Sequence, residues 1–498
     1  MATFTVLNGT GIDTNADFLG DGVQFGSIFT TITATGVLGV PIILPTTGNV
    51  TFNDFGALTL TGTGMSYIPP VTVNGTLTDL SYAKLLLPVF SITGFSIPLA
   101  NIAATLLLGG GELAVLGTIF SGNDTIGGSI MSDTLMGFDG NDTMRGGGGA
   151  DNLDGGNGSD FANYQGSVLA VTVNLATGIN TGGDAQGDVL TNIENLYGSS
   201  FNDSLTGNAV RNIIGGELGD DTIAGNGGDD SLSGEGGADT VNGGDGNDRV
   251  TGGAGTDILG GDAGNDSIDA GSENDIVTGG AGNDVLYGGA GDDQLDGGDD
   301  NDILEGAGGA DQMNGGNGID TVSYANSAVG VIVAMGGLSI GGDALGDTMT
   351  GIEQVMGSGF NDVITGDSNA NTLWGLAGDD ILTGGLGADV LKGGAGNDTF
   401  IYVNVADSTV ALAGKDTIVD FTTGDKIDLT AIDANGEGPG DTAFTFGTGA
   451  FTGAGQIRVL AFANGRYGVY IETSGDQTPE SIINVYSDHA LTAADFVL

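Results

Sequence analysis

The chain has 498 residues, with 99 Gly, 64 acidic against 9 basic side chains, one His, one Trp and no Cys. A formal charge of −55 repels nucleic acid and anionic membrane surfaces and opposes compaction unless cations neutralise it, and the missing Cys removes disulfides, thiolate metal sites and cysteine nucleophiles together. With only 8 Pro and no three-residue period, collagen is excluded, so the glycine points to a repeat built on tight turns.

Residues 1–118 are apolar, poor in charge and broken by Gly and Pro. Segments 4–7, 37–44, 50–52, 58–60 and 71–73 read as strands, and 101–108 is too short for its period to separate helix from strand. A small β-rich cap domain is expected here. The start, Met1-Ala2-Thr3-Phe4-Thr5-Val6, carries no basic segment followed by an apolar core, so no cleavable signal peptide is expected. The longest apolar stretch, 102–108, falls far short of the ~20 residues of a membrane-spanning helix, and a soluble chain without a membrane span is predicted.

From residue 119 the sequence falls into nonapeptides. Five fill 119–163, fourteen fill 198–323 without a slip of register, and five fill 357–401. Gly243-Gly244-Asp245-Gly246-Asn247-Asp248-Arg249-Val250-Thr251 shows the frame. Across the 24 frames the sixth position is Asp in 22 and Asn in two, Asn212 and Asn371. The eighth is apolar in all 24, and the first is Gly in 22, the exceptions being Ile119 and Ala270. Glycines at positions one, two and four let the first six residues turn sharply and aim carbonyl oxygens inward. The apolar eighth residue between two small or polar ones predicts a three-residue strand with one side chain inward. Stacked turns then share a thin core of Leu205, Ile223, Leu232, Val241, Val250, Leu259 and Ile268. One aliphatic per nine residues cannot by itself offset the entropy of ordering so much Gly. Carboxylates and backbone carbonyls are the hard oxygen ligands that Ca²⁺ prefers, whereas Mg²⁺ demands stricter geometry.

This frame resembles the calcium-binding nonapeptide of the RTX family. The resemblance implies an all-β fold, a parallel β-roll in which loops two repeats apart share an ion. The sixth-position ligands are then Asp124, Asp133, Asp142, Asp151 and Asp160 in the first block. In the long block they are Asp203, Asp221, Asp230, Asp239, Asp248, Asp257, Asp266, Asp275, Asp284, Asp293, Asp302, Asp311 and Asp320. Asp362, Asp380, Asp389 and Asp398 complete the set. Sharing between alternate turns gives on the order of 18 ions, which would bring the charge to about −19. The frame has flaws. Met131, Phe201, Val210, Phe360 and Asn369 stand at the fourth position near block starts, where a solenoid carries atypical capping turns, and Glu273 and Asp300 stand there inside the long block, as strain or weakened sites.

Two related inserts, 164–197 and 324–356, separate the blocks. One carries Gly182-Gly183-Asp184-Ala185-Gln186-Gly187-Asp188 and Ile193-Glu194; the other carries Gly341-Gly342-Asp343-Ala344-Leu345-Gly346-Asp347 and Ile352-Glu353. Their offset argues for internal duplication. Alternating Val171, Val173 and Leu175, and Val331 and Val333, predict strands, so each insert reads as a wider turn of the solenoid. Asp184, Asp188, Glu194, Asp343, Asp347 and Glu353 are further candidate Ca²⁺ ligands, against the alternative of solvated loop acids.

In residues 402–498 glycine thins and aromatics appear. Asn397-Asp398-Thr399-Phe400-Ile401-Tyr402, Asp416-Thr417-Ile418-Val419-Asp420-Phe421 and Gly424-Asp425-Lys426-Ile427-Asp428-Leu429 resemble the C-terminal module of serralysin-type proteases. The ending Leu491-Thr492-Ala493-Ala494-Asp495-Phe496-Val497-Leu498 is similar to the uncleaved signal read by type I secretion systems. The resemblance covers 119–498 and implies a bacterial protein secreted through type I machinery to the cell surface or beyond. It departs at 472–480, where the family often shows an Asp/Asn-rich loop, and no further Ca²⁺ site is counted there.

The protease half is missing. The one histidine is His489, read as a surface residue, so neither H-E-x-x-H nor a Ser-His-Asp triad exists, and no G-x-S-x-G elbow occurs. A carboxylate pair for glycosidic chemistry would have to come from Asp13, Asp17, Asp21, Asp54, Asp79 and Glu112, mostly in turn-like contexts. A pore-forming toxin would need long apolar helices before the repeats and acylated lysines, but only Lys84 precedes them. The expectation is a non-enzymatic structural or surface protein of the S-layer, biofilm-matrix or adhesin kind, with self-assembly or a cell-surface polysaccharide as candidate partner. The alternative is an extracellular polysaccharide-active or other hydrolase that uses the roll as a binding module.

Overall fold

The computed structural model describes residues 122–434, 443–447 and 449–498, together with the backbone of eight strands between Ala2 and Pro98. The chain divides into two compact units, Met1–Gly236 and Gly237–Leu498. Both are all-β, and the nonapeptide dictates their architecture.

In the first unit, parallel strands pair across 18 residues, so alternate repeats lie side by side. One sheet runs through Thr143–Arg145, Phe161–Asn163, Asn195–Tyr197, Ile213–Leu218 and Ser231–Gly236. Opposite, Thr134–Met136, Asn152–Asp154 and Val189–Thr191 form a second run. Thr172–Asn174, Ser204–Thr206 and Thr222–Gly227 form a third, with Ile179–Thr181 folded back antiparallel on the first of them. Among the expected N-terminal strands, Ile43–Leu44, Gly48–Phe52 and Leu58–Gly62 are present, with the last two antiparallel. The segments 4–7, 71–73 and 101–108 lie outside the described residues. Thr76–Ala83 and Val89–Pro98 form a long hairpin that sequence periodicity did not single out.

In the second unit the same 18-residue register links Thr240–Asp245, Ile258–Ala263, Ile276–Ala281, Gln294–Asp299 and Gln312–Asn317 on one side. Arg249–Ala254, Ser267–Ser272, Val285–Ala290, Ile303–Gly308 and Thr321–Ser323 are linked likewise on the other. That second side continues through Gln354–Met356, Thr372–Ala377, Val390–Ala395 and Thr417–Phe421 to Ser481–Ser487. There the sheet turns antiparallel through Arg466–Glu472 and Gln456–Ala461. The chain end takes part as well, since Phe496–Val497 pairs with Lys426–Asp428.

Most strands of the long block are six residues long, not three. The expected eighth-position aliphatic is buried, and the extended chain then continues through the first glycine of the next repeat, whose Cα also faces inward. Val250, Leu259, Ile268 and Leu286 are each at most 1% exposed and form a core one side chain wide. Among the described residues no helix is long and apolar enough to cross a membrane.

The turns explain the glycines separately. A Cβ on Gly261, at position one, would collide with the Asp266 carboxylate and the Gly279 carbonyl, so space excludes larger residues there. Gly264 and Gly282, at position four, have φ of 140° and 127°, and a Cβ on either would strike the carbonyl of the glycine 18 residues earlier. Glu273 and Asp300 occupy that fourth position at φ of 73° and 76°. Left-handed backbone costs a non-glycine residue about 1–2 kcal/mol. Glu273 recovers part of this by accepting the Gly255 N–H at 3.0 Å. Asp300 instead adds its charge to the surroundings of Asp284 and Asp302. Asp300→Gly is therefore expected to raise the melting temperature of the Ca²⁺-loaded chain by several degrees (~1–2 kcal/mol) and Glu273→Gly to raise it less. Thermal melts at fixed Ca²⁺ decide it, and a lower value for Asp300→Gly would contradict the reading.

Candidate metal centre

The sixth-position carboxylates form a ladder. Most take, on one oxygen, the backbone N–H of the sixth residue two repeats earlier: Asp124 donates to Asp142 at 2.8 Å, Asp133 to Asp151 at 2.8 Å, and Asp142 to Asp160 at 2.7 Å. Asp203 donates in the same way to Asp221, and Asn212 to Asp230. In the second unit the chain of donors runs from Asp239 to Asp257, Asp275, Asp293 and Asp311, and from Asp248 to Asp266, Asp284, Asp302 and Asp320. It resumes from Asp362 to Asp380 to Asp398 and from Asn371 to Asp389.

This leaves the other oxygen. Oδ2 of Asp142, Asp151, Asp160, Asp257, Asp266, Asp275, Asp284, Asp293, Asp302, Asp311, Asp320, Asp380, Asp389 and Asp398 is buried with no hydrogen-bond donor. At Gly261, Gly279 and Gly297 it borders the small hollow kept open by the first glycine, rimmed by the carbonyl oxygen of the first residue two repeats on. A buried anionic oxygen facing carbonyls is costly unless a cation joins them. Carboxylate plus backbone carbonyl, repeated at each turn, fits Ca²⁺.

The inserts join the ladder from non-repeat sequence. Asp188 accepts from Asp151 N–H at 2.8 Å and Glu194 from Asp160 at 2.9 Å. Asp347 accepts from Asp311 at 3.0 Å and Glu353 from Asp320 at 3.0 Å. Two of these differ in their second oxygen, which takes a buried phenol: Tyr164 donates to Asp188 at 3.1 Å and Tyr324 to Asp347 at 2.8 Å. Asp184 and Asp343 stay off the ladder on short 3₁₀ turns, and Asp184 lies 3.9 Å from the Arg145 guanidinium.

The five turns with a misplaced fourth residue satisfy themselves. In Asp133, Asp203 and Asp362 the Oδ2 atom takes the backbone N–H of Ser129, Ser199 or Ser358, and each serine hydroxyl donates to the same carboxylate. Asn212 and Asn371 accept from Asn208 and Asp367 within their own turns. These turns therefore present a carboxylate or amide already engaged by protein. Two ladder members were missed from sequence: Asp416, accepting from Asp389 at 3.0 Å, and Asp425, accepting from Asp398 at 2.9 Å. Their signal, Asp-x-aliphatic in Asp416-Thr417-Ile418 and Asp425-Lys426-Ile427, is that of the repeat, but the spacing lengthens from 18 to 27 residues.

Burial pushes the ladder carboxyls upward, and neighbouring carboxylates add to it. Asp275, Asp284, Asp311 and Asp380 rise to about 7, and Asp257, Asp266, Asp302 and Asp398 to about 6. A carboxyl with a raised folded value binds its proton more tightly when folded. Metal-free stability is thus fully helped below the unfolded value of about 3.9 and loses that help as pH climbs through 6 to 7. In chelator the chain is expected to gain β-sheet signal as pH falls from ~8 to ~5, with protons standing in for cations. Circular dichroism across that range checks this, and a metal-free chain that loses structure on acidification would refute it.

The family matches agree with this geometry. The family described as Peptidase M10 serralysin C terminal matches residues 234–498. The RTX calcium-binding nonapeptide repeat (4 copies) matches 127–162, 191–223 and 215–250. No curated protein matches the chain. Among solved structures, a subunit of the Azotobacter vinelandii mannuronan C5-epimerase is similar at 23% identity and a TM-score of 0.20, over 40% of this chain and 80% of that one. The extracellular lipase of Serratia marcescens is similar at 18% identity and a TM-score of 0.16, over 48% of this chain and 40% of the lipase.

Proposed function

Since the chain belongs to the serralysin C-terminal family and is a secreted protein that binds Ca²⁺ through RTX nonapeptides, we propose that it works as a structural protein at the cell surface. In this reading the roll is a spacer hardened by Ca²⁺ in an S-layer, a biofilm matrix or an adhesive contact. One observation carries it: in turn after turn a buried carboxylate oxygen has no donor, an arrangement that suits the same cation repeated along the roll.

The reading assigns no catalysis. The one histidine, His489, has its Nδ1 2.7 Å from Asp488 and 3.2 Å from the Ser487 hydroxyl, its Nε2 3.4 Å from Asp495, and its ring tilted against Phe421. Each ladder carboxylate is held by one backbone N–H, and the reading gives its other oxygen to a cation rather than to a reaction. Electron microscopy of the purified protein at millimolar Ca²⁺, then in chelator, tests the proposal. Ordered lattices or filaments that dissolve in chelator are expected. Dispersed monomers that cleave a polysaccharide would overturn it in favour of a hydrolase.

A further inference from the structure

The C-terminal sheet holds an acidic cluster that the repeats do not explain. Glu472 ends the strand Arg466–Glu472, Glu480 directly precedes the strand Ser481–Ser487, and Asp476 lies on the loop between them. The loop folds its acids together. Glu480 N–H donates to Ile471 at 3.0 Å, and Gly455 N–H donates to the Glu472 carbonyl at 3.0 Å, which fixes both ends. Thr473 N–H holds one Glu480 oxygen at 2.7 Å, Thr478 N–H holds one Asp476 oxygen at 2.8 Å, and Ser474 Oγ and Gly475 N–H hold Oε1 of Glu472. A carboxylate oxygen from each of the three lies within 4.8 Å of the others.

Three like charges at that separation repel. Among the described residues none of the three forms an ion pair with Lys, Arg or His. Glu472 sharpens the problem: its side chain is 0% exposed, and its Oε2 is buried with no hydrogen-bond partner. A fully buried carboxylate oxygen in a group of three carboxylates is stable only if something positive completes the group. The cluster falls at 472–480, where no further Ca²⁺ site was counted from the sequence.

We propose that Glu472, Asp476 and Glu480 bind a Ca²⁺ ion outside the roll. The donor set is all oxygen, with three carboxylates and room on the exposed side of Asp476 for water, which suits a hard divalent cation of high coordination number. No nonapeptide takes part, so this ion clasps the antiparallel end of the sheet independently of the ladder.

The test uses the full-length chain. Native mass spectrometry in saturating Ca²⁺ is expected to count one ion fewer in Glu472→Gln and in Asp476→Asn than in the parent. The Ca²⁺ midpoint for folding of the roll should stay unchanged in both. Hydrogen exchange over 466–487 adds a second, opposed readout. In chelator Glu472→Gln should protect these amides better than the parent, because a buried charge is gone, and in Ca²⁺ it should protect them less. A purely structural glutamate would show no such reversal. Equal ion counts in parent and variants, or exchange at 472–480 that ignores Ca²⁺ in the parent, would overturn the site. A parent that binds no ion at all would instead overturn the RTX reading, so the two failures are distinct.

Discussion

Removing Ca²⁺ from the full-length chain at neutral pH is expected to unfold both nonapeptide stacks, and adding it back is expected to restore them cooperatively. The core is one aliphatic wide, and the turns from Asp257 to Asp320, with those of Asp380, Asp389 and Asp398, each bury a carboxylate oxygen that no protein donor reaches. At neutral pH the metal-free fold must therefore either leave those charges unpaired or take up protons against their ordinary pKa. Ions that bind only the folded chain add about 2.7 kcal/mol per site at a hundredfold excess over Kd, and extracellular calcium modules work near ~10⁻⁴–10⁻³ M. Trp374, half-buried in Thr372–Ala377 and in register with Met356 and Lys392, reports on the second unit. Far-ultraviolet circular dichroism and Trp fluorescence against Ca²⁺ follow the transition. Equal β content in chelator and in millimolar Ca²⁺ at pH ~7.5 would defeat the account.

Asp266→Ala is expected to raise the Ca²⁺ midpoint severalfold, while Asp154→Ala leaves it nearly unmoved. Asp266 serves twice. Its Oδ1 accepts the Asp248 N–H at 2.7 Å, and its Oδ2 faces the hollow beside Gly261 and the Gly279 carbonyl. Alanine would strand a buried N–H, at a cost of about 1–3 kcal/mol, and also remove an ion ligand. Asp266→Asn separates the two effects, since its amide oxygen can keep the N–H while the charge is lost, so an intermediate midpoint is expected. Asp154 sits at a ninth position and takes only an exposed hydrogen bond from Asn192 at 2.8 Å, so its loss should stay within about 0.5 kcal/mol. Equal shifts for Asp154→Ala and Asp266→Ala would mean that the ligand register is wrong.

The period of nine was enough to read the buried eighth residue, whereas the pairing of alternate repeats and the ligating sixth position came from the resemblance to the RTX frame. Asp188, Glu194, Asp347 and Glu353 were also legible, since the inserts return to the frame just beyond them. Asp416 and Asp425 were not, because a lengthened connection breaks the count while the geometry persists. Ser129, Ser199 and Ser358 escaped for another reason. Nothing in a sequence says that a second-position serine will turn its N–H and hydroxyl onto its own turn's carboxylate, and that bond appears only when the chain is folded. The six-residue strands were missed because glycine reads as a breaker, whereas here its bare Cα faces inward and the pairing runs through it.

The two tyrosines at the inserts bear on how the protein behaves under tension. Where Tyr164 meets Asp188 and Tyr324 meets Asp347, a phenol occupies the oxygen that elsewhere awaits an ion. These two contacts need no ion, so as calcium is withdrawn under tension they should be among the last of the solenoid to open. In Ca²⁺ the same contacts would be the places where a column of ions is interrupted, so extension should proceed in steps whose lengths are written in the sequence. Such a chain would yield by segments and recover by segments as calcium returns.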